Sequence, residues 1–126
     1  MQVTRFADAK PYEAPKHHAM TGLRLQGWDV SDSQNFWVGM SQFLPVGGAE
    51  MDASPLEKVY LDASPLEKVY LVLSGEVTII LENGEETVLG PKDSCFIGPD
   101  EGREIINRTN ETVHMLVILN YPEGAR

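Results

Sequence analysis

The sequence predicts an all-β fold, an antiparallel sandwich or barrel, and three features of the text point there. Apolar and polar residues alternate at period two in the apolar stretches. Gly and Pro punctuate the chain at short intervals, and almost no stretch longer than a turn has helical periodicity. Short strands without intervening helices bury their apolar faces by closing on one another, in two antiparallel layers or a barrel. With 126 residues, 42% of them hydrophobic, residues 1–126 have the size and balance of one domain.

The elements follow in order. Residues 1–20 mix Pro11, Pro15, His17 and His18 with charges and are expected to form an extended arm lying on the barrel. Strands are expected over residues 21–27 and 35–44, the latter with Phe36, Val38 and Met40 alternating against Trp37, Gly39 and Ser41. Pro45-Val46-Gly47-Gly48 is expected to stop that strand. Residues 67–73 and 76–82 are rich in β-branched and aromatic side chains. Asn83-Gly84 then signals a two-residue hairpin, because both residue types tolerate positive φ, and residues 85–89 complete it. Gly90-Pro91-Lys92-Asp93 turns the chain into a strand at 94–97, residues 98–102 loop, and strands at 103–107 and 112–120 close the series. Trp28, Trp37, Phe43 and Phe96 read as core or as dimer surface.

In the middle of the chain one decapeptide is written twice. Asp52-Ala53-Ser54-Pro55-Leu56-Glu57-Lys58-Val59-Tyr60-Leu61 recurs unchanged as residues 62–71. Solenoid repeats are longer and more numerous, so this is an insertion and not an architecture. Ten is even, and sliding a strand by one copy leaves every side chain on its original face. Only the second copy runs unbroken into Gly75 and the hairpin beyond, so it is expected to line the pocket while the first is extruded as a loop.

Ten Lys and Arg against nineteen Asp and Glu give a net charge of −9, which repels phosphate backbones and anionic membranes; neither nucleic acid nor membrane is an expected partner. The lone Cys95 forms no internal disulfide and reads as a buried strand residue. No stretch resembles a signal peptide or reaches spanning length, and a cytoplasmic protein is expected.

Over roughly residues 35–121 the order of elements resembles a cupin, the small jelly-roll barrel widespread in bacteria. Gly75 stands at the glycine that ends the first cupin motif, and Asn107 at the asparagine of the second. In that register the family's glutamate falls on Lys68, its first two histidines on Asp62 and Ser64, and its last histidine on Arg103. Lys92, Gly98 and Asp100 stand where the second motif has Gly, Pro and Gly. The resemblance implies a jelly-roll barrel and a homodimer paired through outer sheet faces. It also implies a site in which no metal-ligand position keeps its family residue and two have become cationic.

A fixed ammonium or guanidinium offers a metal only repulsion, so no metal and no other cofactor is expected. The positive charge of Lys68 and Arg103 then suits a small anionic molecule, a carboxylate or a developing enolate. Asp62, Ser64 and Lys68 share one face of an extended strand, as does Tyr70, which offers a hydroxyl to the ligand. The expected catalytic set is Lys68, Arg103 and Asp62, with Asp62 as general base; Ser64, Tyr70 and His114 are expected to bind substrate. The expected function is metal-independent acid–base catalysis, isomerase or lyase, on a small carboxylate-bearing substrate. One alternative is a binding module that holds an anionic metabolite without turnover. Another is a metal-dependent cupin using His17, His18, His114, Glu50 or Asp62.

Overall fold

The computed structural model describes residues 1–12, 17–49 and 66–120, in which nine strands and one turn of 3-10 helix at Phe6–Asp8 follow one another. The strands are β1 (Pro11–Tyr12), β2 (His17–Gln26), β3 (Phe36–Ala49), β4 (Lys68–Ser74), β5 (Val77–Leu81), β6 (Glu86–Leu89), β7 (Ser94–Ile97), β8 (Arg103–Ile106) and β9 (Val113–Asn120). Every pairing between them is antiparallel. β1, β2, β3, β9, β4 and β7 make one layer, and β6, β5 and β8 make the other, which the far end of β3 joins; this is the jelly-roll plan. Period-two alternation sends one side of each strand between the layers. Phe43, Tyr70, Val72, Val77, Ile79, Ile105, Val113 and Met115 meet there as the core.

β3 holds the two layers together, and here the structure departs from expectation. The strand does not stop at Pro45 but runs on to Ala49, changing partner on the way: Phe36 to Phe43 pair with β9, while Gly48 and Ala49 pair with Ile106 and Ile105 of β8. Proline brings no N–H to a ladder, and it falls in the gap between the two pairings. The neighbouring strand bulges at the same level, where Ala19 takes a φ of 48° between His18 and Met20. Residues 17–20, expected in the arm, accordingly belong to β2. The hairpin after β5 is also not a two-residue turn. The Gly84 amide donates to the Leu81 carbonyl and the Leu81 amide to the Glu85 carbonyl, both at 2.9 Å, so three residues form the loop. Gly84 at φ 86° takes the left-handed position, while Asn83 caps the Glu85 amide with its side chain at 2.9 Å.

Asn107, fully buried, fixes the β8–β9 connection. Its amide nitrogen donates to the carbonyls of Phe43 (3.1 Å) and Glu111 (2.7 Å), and its oxygen accepts from the amide and hydroxyl of Thr109. β4 takes Lys68–Leu71 from the second copy of the decapeptide; residues 52–61 lie outside the described residues.

The crossing of β3 into the second layer depends on close backbone approach at Gly48, where an added Cβ would overlap the carbonyl oxygen of Ile105. Gly48→Ala is therefore expected to lower stability by about 1–3 kcal/mol, read as a fall in the urea midpoint. Gly90→Ala, whose Cβ would find only a carboxylate oxygen at 3.7 Å, should leave the midpoint nearly unchanged.

Candidate functional site

Strand register lays out the interior face of the larger layer as a grid. One row runs Trp37, Leu119, Lys68, Ile97; the next Gly39, Val117, Tyr70, Cys95; the third Tyr12, Gly22, Ser41, Met115, Val72. Two glycines in this grid leave room for rings. A Cβ on Gly22 would fall 2.6 Å from the Tyr12 ring, and one on Gly39 would overlap the Trp37 indole. Tyr12 and Trp37 fill these spaces and meet edge to face, with centroids 5.0 Å apart at 87°.

From the opposite layer β8 contributes Arg103 and Ile105 to the same interior. Arg103 is only 5% exposed, its Nη1 fully enclosed, and its Nε donates to the hydroxyl of Tyr70, itself 1% exposed, at 2.7 Å. The guanidinium carbon lies 5.9 Å from the centre of the Tyr70 ring. Among the described residues the buried polar side chains are Ser41, Thr78, Arg103 and Asn107, and Arg103 is the charged one. An open hollow of about 230 Å³, lined by Leu81, Glu82, Asn83, Glu101 and Gly102, borders the start of the strand from which Arg103 projects.

The structure brings together Tyr70 and Arg103, and it puts Lys68, half-buried, on the Tyr70 face of β4 two residues away. It does not bring in His114. That residue alternates with the inward Val113 and Met115, so its ring lies on the outer face, across from Gln42 with the amide nitrogen 3.5 Å from Nε2. Period-two parity makes a role beside Arg103 geometrically unavailable to it, which corrects its expected place among substrate ligands. Asp62, Ser64 and Glu50 lie outside the described residues, as do the side chains of His17 and His18.

Two interior groups, Ser41 and Tyr12, escaped the sequence reading. Ser41 is 3% exposed and faces Tyr12 across Gly22. Burial pushes the Tyr12 phenol above its ordinary pKa, the Ser41 side chain draws it back, and Tyr70 adds to the rise. Cys95, expected as a buried strand residue, is half-buried and packs against the core opposite Tyr70. The signal for Tyr12 was Gly22 and Gly39 at inward positions of apolar strands, since a glycine there marks close approach by something else.

Residues 59–119 match the Cupin domain family. The chain is 38% identical over 122 residues to the β-D-galactosidase Rv1717 of Mycobacterium tuberculosis, covering 97% of this chain and 96% of that protein. The chain belongs to the cupin family. Among solved structures it superposes on the polyketide cyclase RemF from Streptomyces resistomycificus with a TM-score of 0.78 at 19% identity, covering 95% of this chain and 79% of that one. An RmlC-like cupin from Shewanella frigidimarina gives a TM-score of 0.72 at 12% identity, over 98% and 94% of the two chains. At these identities the two structures share the fold alone.

Many cupins hold a metal in the barrel, and the residues of this cupin can be tested against one. In the register that the resemblance implies, two of the four ligand positions fall on Lys68 and Arg103, which carry positive charge and no lone pair for a cation. The second is held by its 2.7 Å bond to Tyr70. Among the described residues no three His, Cys, Asp or Glu side chains cluster as a metal site. Among the described residues, the donors present do not fit a divalent ion.

Cys95 provides a probe of this interior. Burial raises its thiol pKa most, a hydrogen bond with the Tyr70 backbone lowers it, Glu101 raises it and Arg103 lowers it. Alkylation by iodoacetamide is therefore expected to reach half its limiting rate at a higher pH than for a free cysteine peptide, and Arg103→Gln should move that midpoint further up. The sign for stability follows. The unfolded thiol ionises first, so the contribution of Cys95 is complete below the ordinary thiol pKa and is lost as pH climbs toward the folded one.

Proposed function

We propose that this cupin binds a small carboxylate-bearing molecule in its barrel, with Arg103 and Lys68 providing the positive charge, and acts on it by metal-independent acid–base chemistry. The observation that carries this reading is the Arg103–Tyr70 pair: a guanidinium sunk between two sheets and oriented by a phenol on the facing strand. In that low-dielectric setting a fixed cation acts on a carboxylate far more strongly than it would in water. Arg103 orients the carboxylate by its planar fork, and the Lys68 ammonium adds a second charge from the same face as Tyr70.

The chemistry this arrangement serves is proton abstraction beside a carbonyl. The carboxylate of Asp62 takes the proton as the C–H bond breaks, and the electron pair moves to the carbonyl oxygen as an enolate that the two cations stabilise. Reprotonation at another carbon completes an isomerisation; departure of a β-substituent completes an elimination. A module that binds the same anion without turnover shares the site and differs only in lacking the chemical step. The relative named as a β-D-galactosidase adds a second substrate class to the comparison. Glycoside cleavage ordinarily takes two carboxyl groups flanking the bond, and no Asp or Glu is buried among the described residues.

We also propose a homodimer. The outer face of the larger layer carries Leu23, Met40, Leu116 and Leu71 in one cross-strand row, and Val38, Ile118, Val69 and Phe96 in the next. Phe96 is 58% exposed in the single chain. These two rows span about 15 Å of sheet without a charge. Two copies of a chain with a net charge of −9 repel except across such a face, and a second copy presents the same face by two-fold symmetry. Light scattering should give twice the chain mass, and Leu71→Asp should give the monomer.

Calorimetry with keto, hydroxy and sugar acids is expected to find at least one that binds wild type. Arg103→Gln should weaken that binding about thirty-fold or more, corresponding to about 2 kcal/mol, and Lys68→Ala by a smaller factor. Elemental analysis should find no stoichiometric transition metal, and chelation should leave binding intact. Release of nitrophenol from an aryl β-D-galactoside at a rate indifferent to Arg103→Gln would replace this reading with glycoside hydrolysis.

A further inference from the structure

We infer that the hollow beneath the N-terminal arm is a second binding site, one that takes the phosphate group of a small soluble phosphomonoester. It is separate from the barrel site, shares no lining residue with the Arg103–Tyr70 pair, and stands or falls without it. The arm is tied down at both ends of an arch. At one end the Asp32 amide donates to Gln2 Oε1 (2.6 Å) and Gln26 Nε2 donates to Thr4 Oγ1 (3.4 Å). At the other the Arg24 amide donates to the Lys10 carbonyl (2.9 Å), just before Pro11 and Tyr12 pair with β2. Between these ties the 3-10 turn closes on itself, the Asp8 amide donating to the Arg5 carbonyl (2.9 Å) and the Ala9 amide to that of Phe6 (3.2 Å). A cavity of about 300 Å³ is left between the arch, β2 and the turn that follows β2.

The charges around this cavity run against those of the whole chain. A protein with a net charge of −9 has ten Lys and Arg, and three of them, Arg5, Lys10 and Arg24, line this one hollow. Two carboxylates, Asp8 and Asp29, share the lining. Arg24 meets Asp29 through Nε at 3.4 Å, and that pair largely cancels. No described carboxylate pairs with Arg5 or Lys10, so two positive charges stand over the cavity against Asp8 alone. The cations converge from two walls, Arg5 and Lys10 from the arm and Arg24 from β2. A carboxylate accepts donors in one plane, whereas a phosphate presents three oxygens in different directions and carries up to two charges, which suits donors on facing walls. Thr4 adds a hydroxyl whose oxygen accepts from Gln26 and whose proton remains to be donated. The volume is at the lower end of the ~300–1,000 Å³ usual for small-molecule sites, more than inorganic phosphate needs and enough for its ester with a small polyol. The negative sum of the chain opposes approach to an anionic bilayer, which favours a soluble ester over a lipid headgroup.

The test titrates inorganic phosphate and glycerol 3-phosphate into the full chain at low salt and follows backbone amide shifts by NMR. Saturable shifts are expected at residues 4–10, Arg24 and Asp29, with the ester binding more tightly than phosphate and acetate more weakly. Arg5→Gln and Lys10→Gln should each weaken phosphate by about five-fold or more, the value of one charge-assisted hydrogen bond. Asp8→Asn removes the opposing charge and should tighten binding by about two-fold or more, a change of sign that a merely structural role for the arm would not produce. Arg108→Gln, which alters a cation paired with Glu86 elsewhere on the surface, should leave the affinity as it is. Absence of saturable shifts at the arm, or affinity unmoved by Arg5→Gln and Lys10→Gln, overturns the site. Shifts centred on Arg103 and lost in Arg103→Gln would place the anion in the barrel instead and overturn it equally. Sedimentation with phosphatidic acid vesicles should leave the chain in the supernatant; co-sedimentation abolished by Lys10→Gln would overturn the assignment of a soluble ligand.

Discussion

A guanidinium buried between two β-layers is the constraint to which the rest of this molecule answers. Desolvating such a group costs several kcal/mol unless hydrogen bonds and charge restore what water gave, and the fold must bring those partners from distant parts of the chain. Tyr70 is one of them, on β4 of the opposite layer, and the 2.7 Å bond to Arg103 ties the layers where the core is most polar. That bond has meaning only if both strands keep their register. A slip of one residue on either would turn Tyr70 or Arg103 outward and replace it with Val69 or Gly102, or with Leu71 or Glu104. The apolar residues beside them, Val72 and Ile105, resist the same slip, so the hydrophobic pattern and the polar pair specify one arrangement between them.

The interior is unevenly polar. Ile79, Val77, Leu89, Ile105, Val113 and Phe43 pack as an ordinary core, whereas Ser41, Tyr12, Tyr70, Cys95 and Arg103 gather toward the other end of the same space. Ligand sites on β-scaffolds commonly have this division, an apolar body that excludes water and a few polar groups that orient the guest. The glycines at 22 and 39 are part of it, since they convert positions that would hold core side chains into seats for Tyr12 and Trp37. The same feature explains why a strand of two residues stays in place: its single inward ring is enclosed on several sides.

Most of the fold was legible because its signals are local. Period two, turn residues and β-branched runs located each strand from β4 onward to within a residue or two. The errors share a cause, which is that long-range pairing decides what a local breaker does. Pro45 and Gly48 read as a stop, yet they lie where β3 leaves β9 for β8, and a strand changing partners needs a missing N–H and a missing side chain at that point. His17–Met20 lack strand character by themselves and become strand through Phe43, Gly48 and Ala49. That Lys68 and Tyr70 share a face which Arg103 meets was legible because parity along one strand and the family's register both converge on them. Tyr12 and Ser41 were not, because nothing in their own neighbourhoods says that the arm crosses β2 at a glycine.

The duplicated decapeptide poses a question of identity that parity alone does not answer. Lys58 and Tyr60 repeat Lys68 and Tyr70, and a shift by ten residues would present the same faces in the same order. What distinguishes the copies is covalent. Tyr70 lies five residues from the turn at Gly75, after which β5 pairs with β8 and so fixes where Arg103 stands relative to β4. A strand built from the first copy would place ten extra residues between the tyrosine and that turn, and the bond to Arg103 would have to close across them. The Arg103–Tyr70 pair is thus a register mark, and it reads the second copy because only there is the path from phenol to turn to β8 short enough to be stiff.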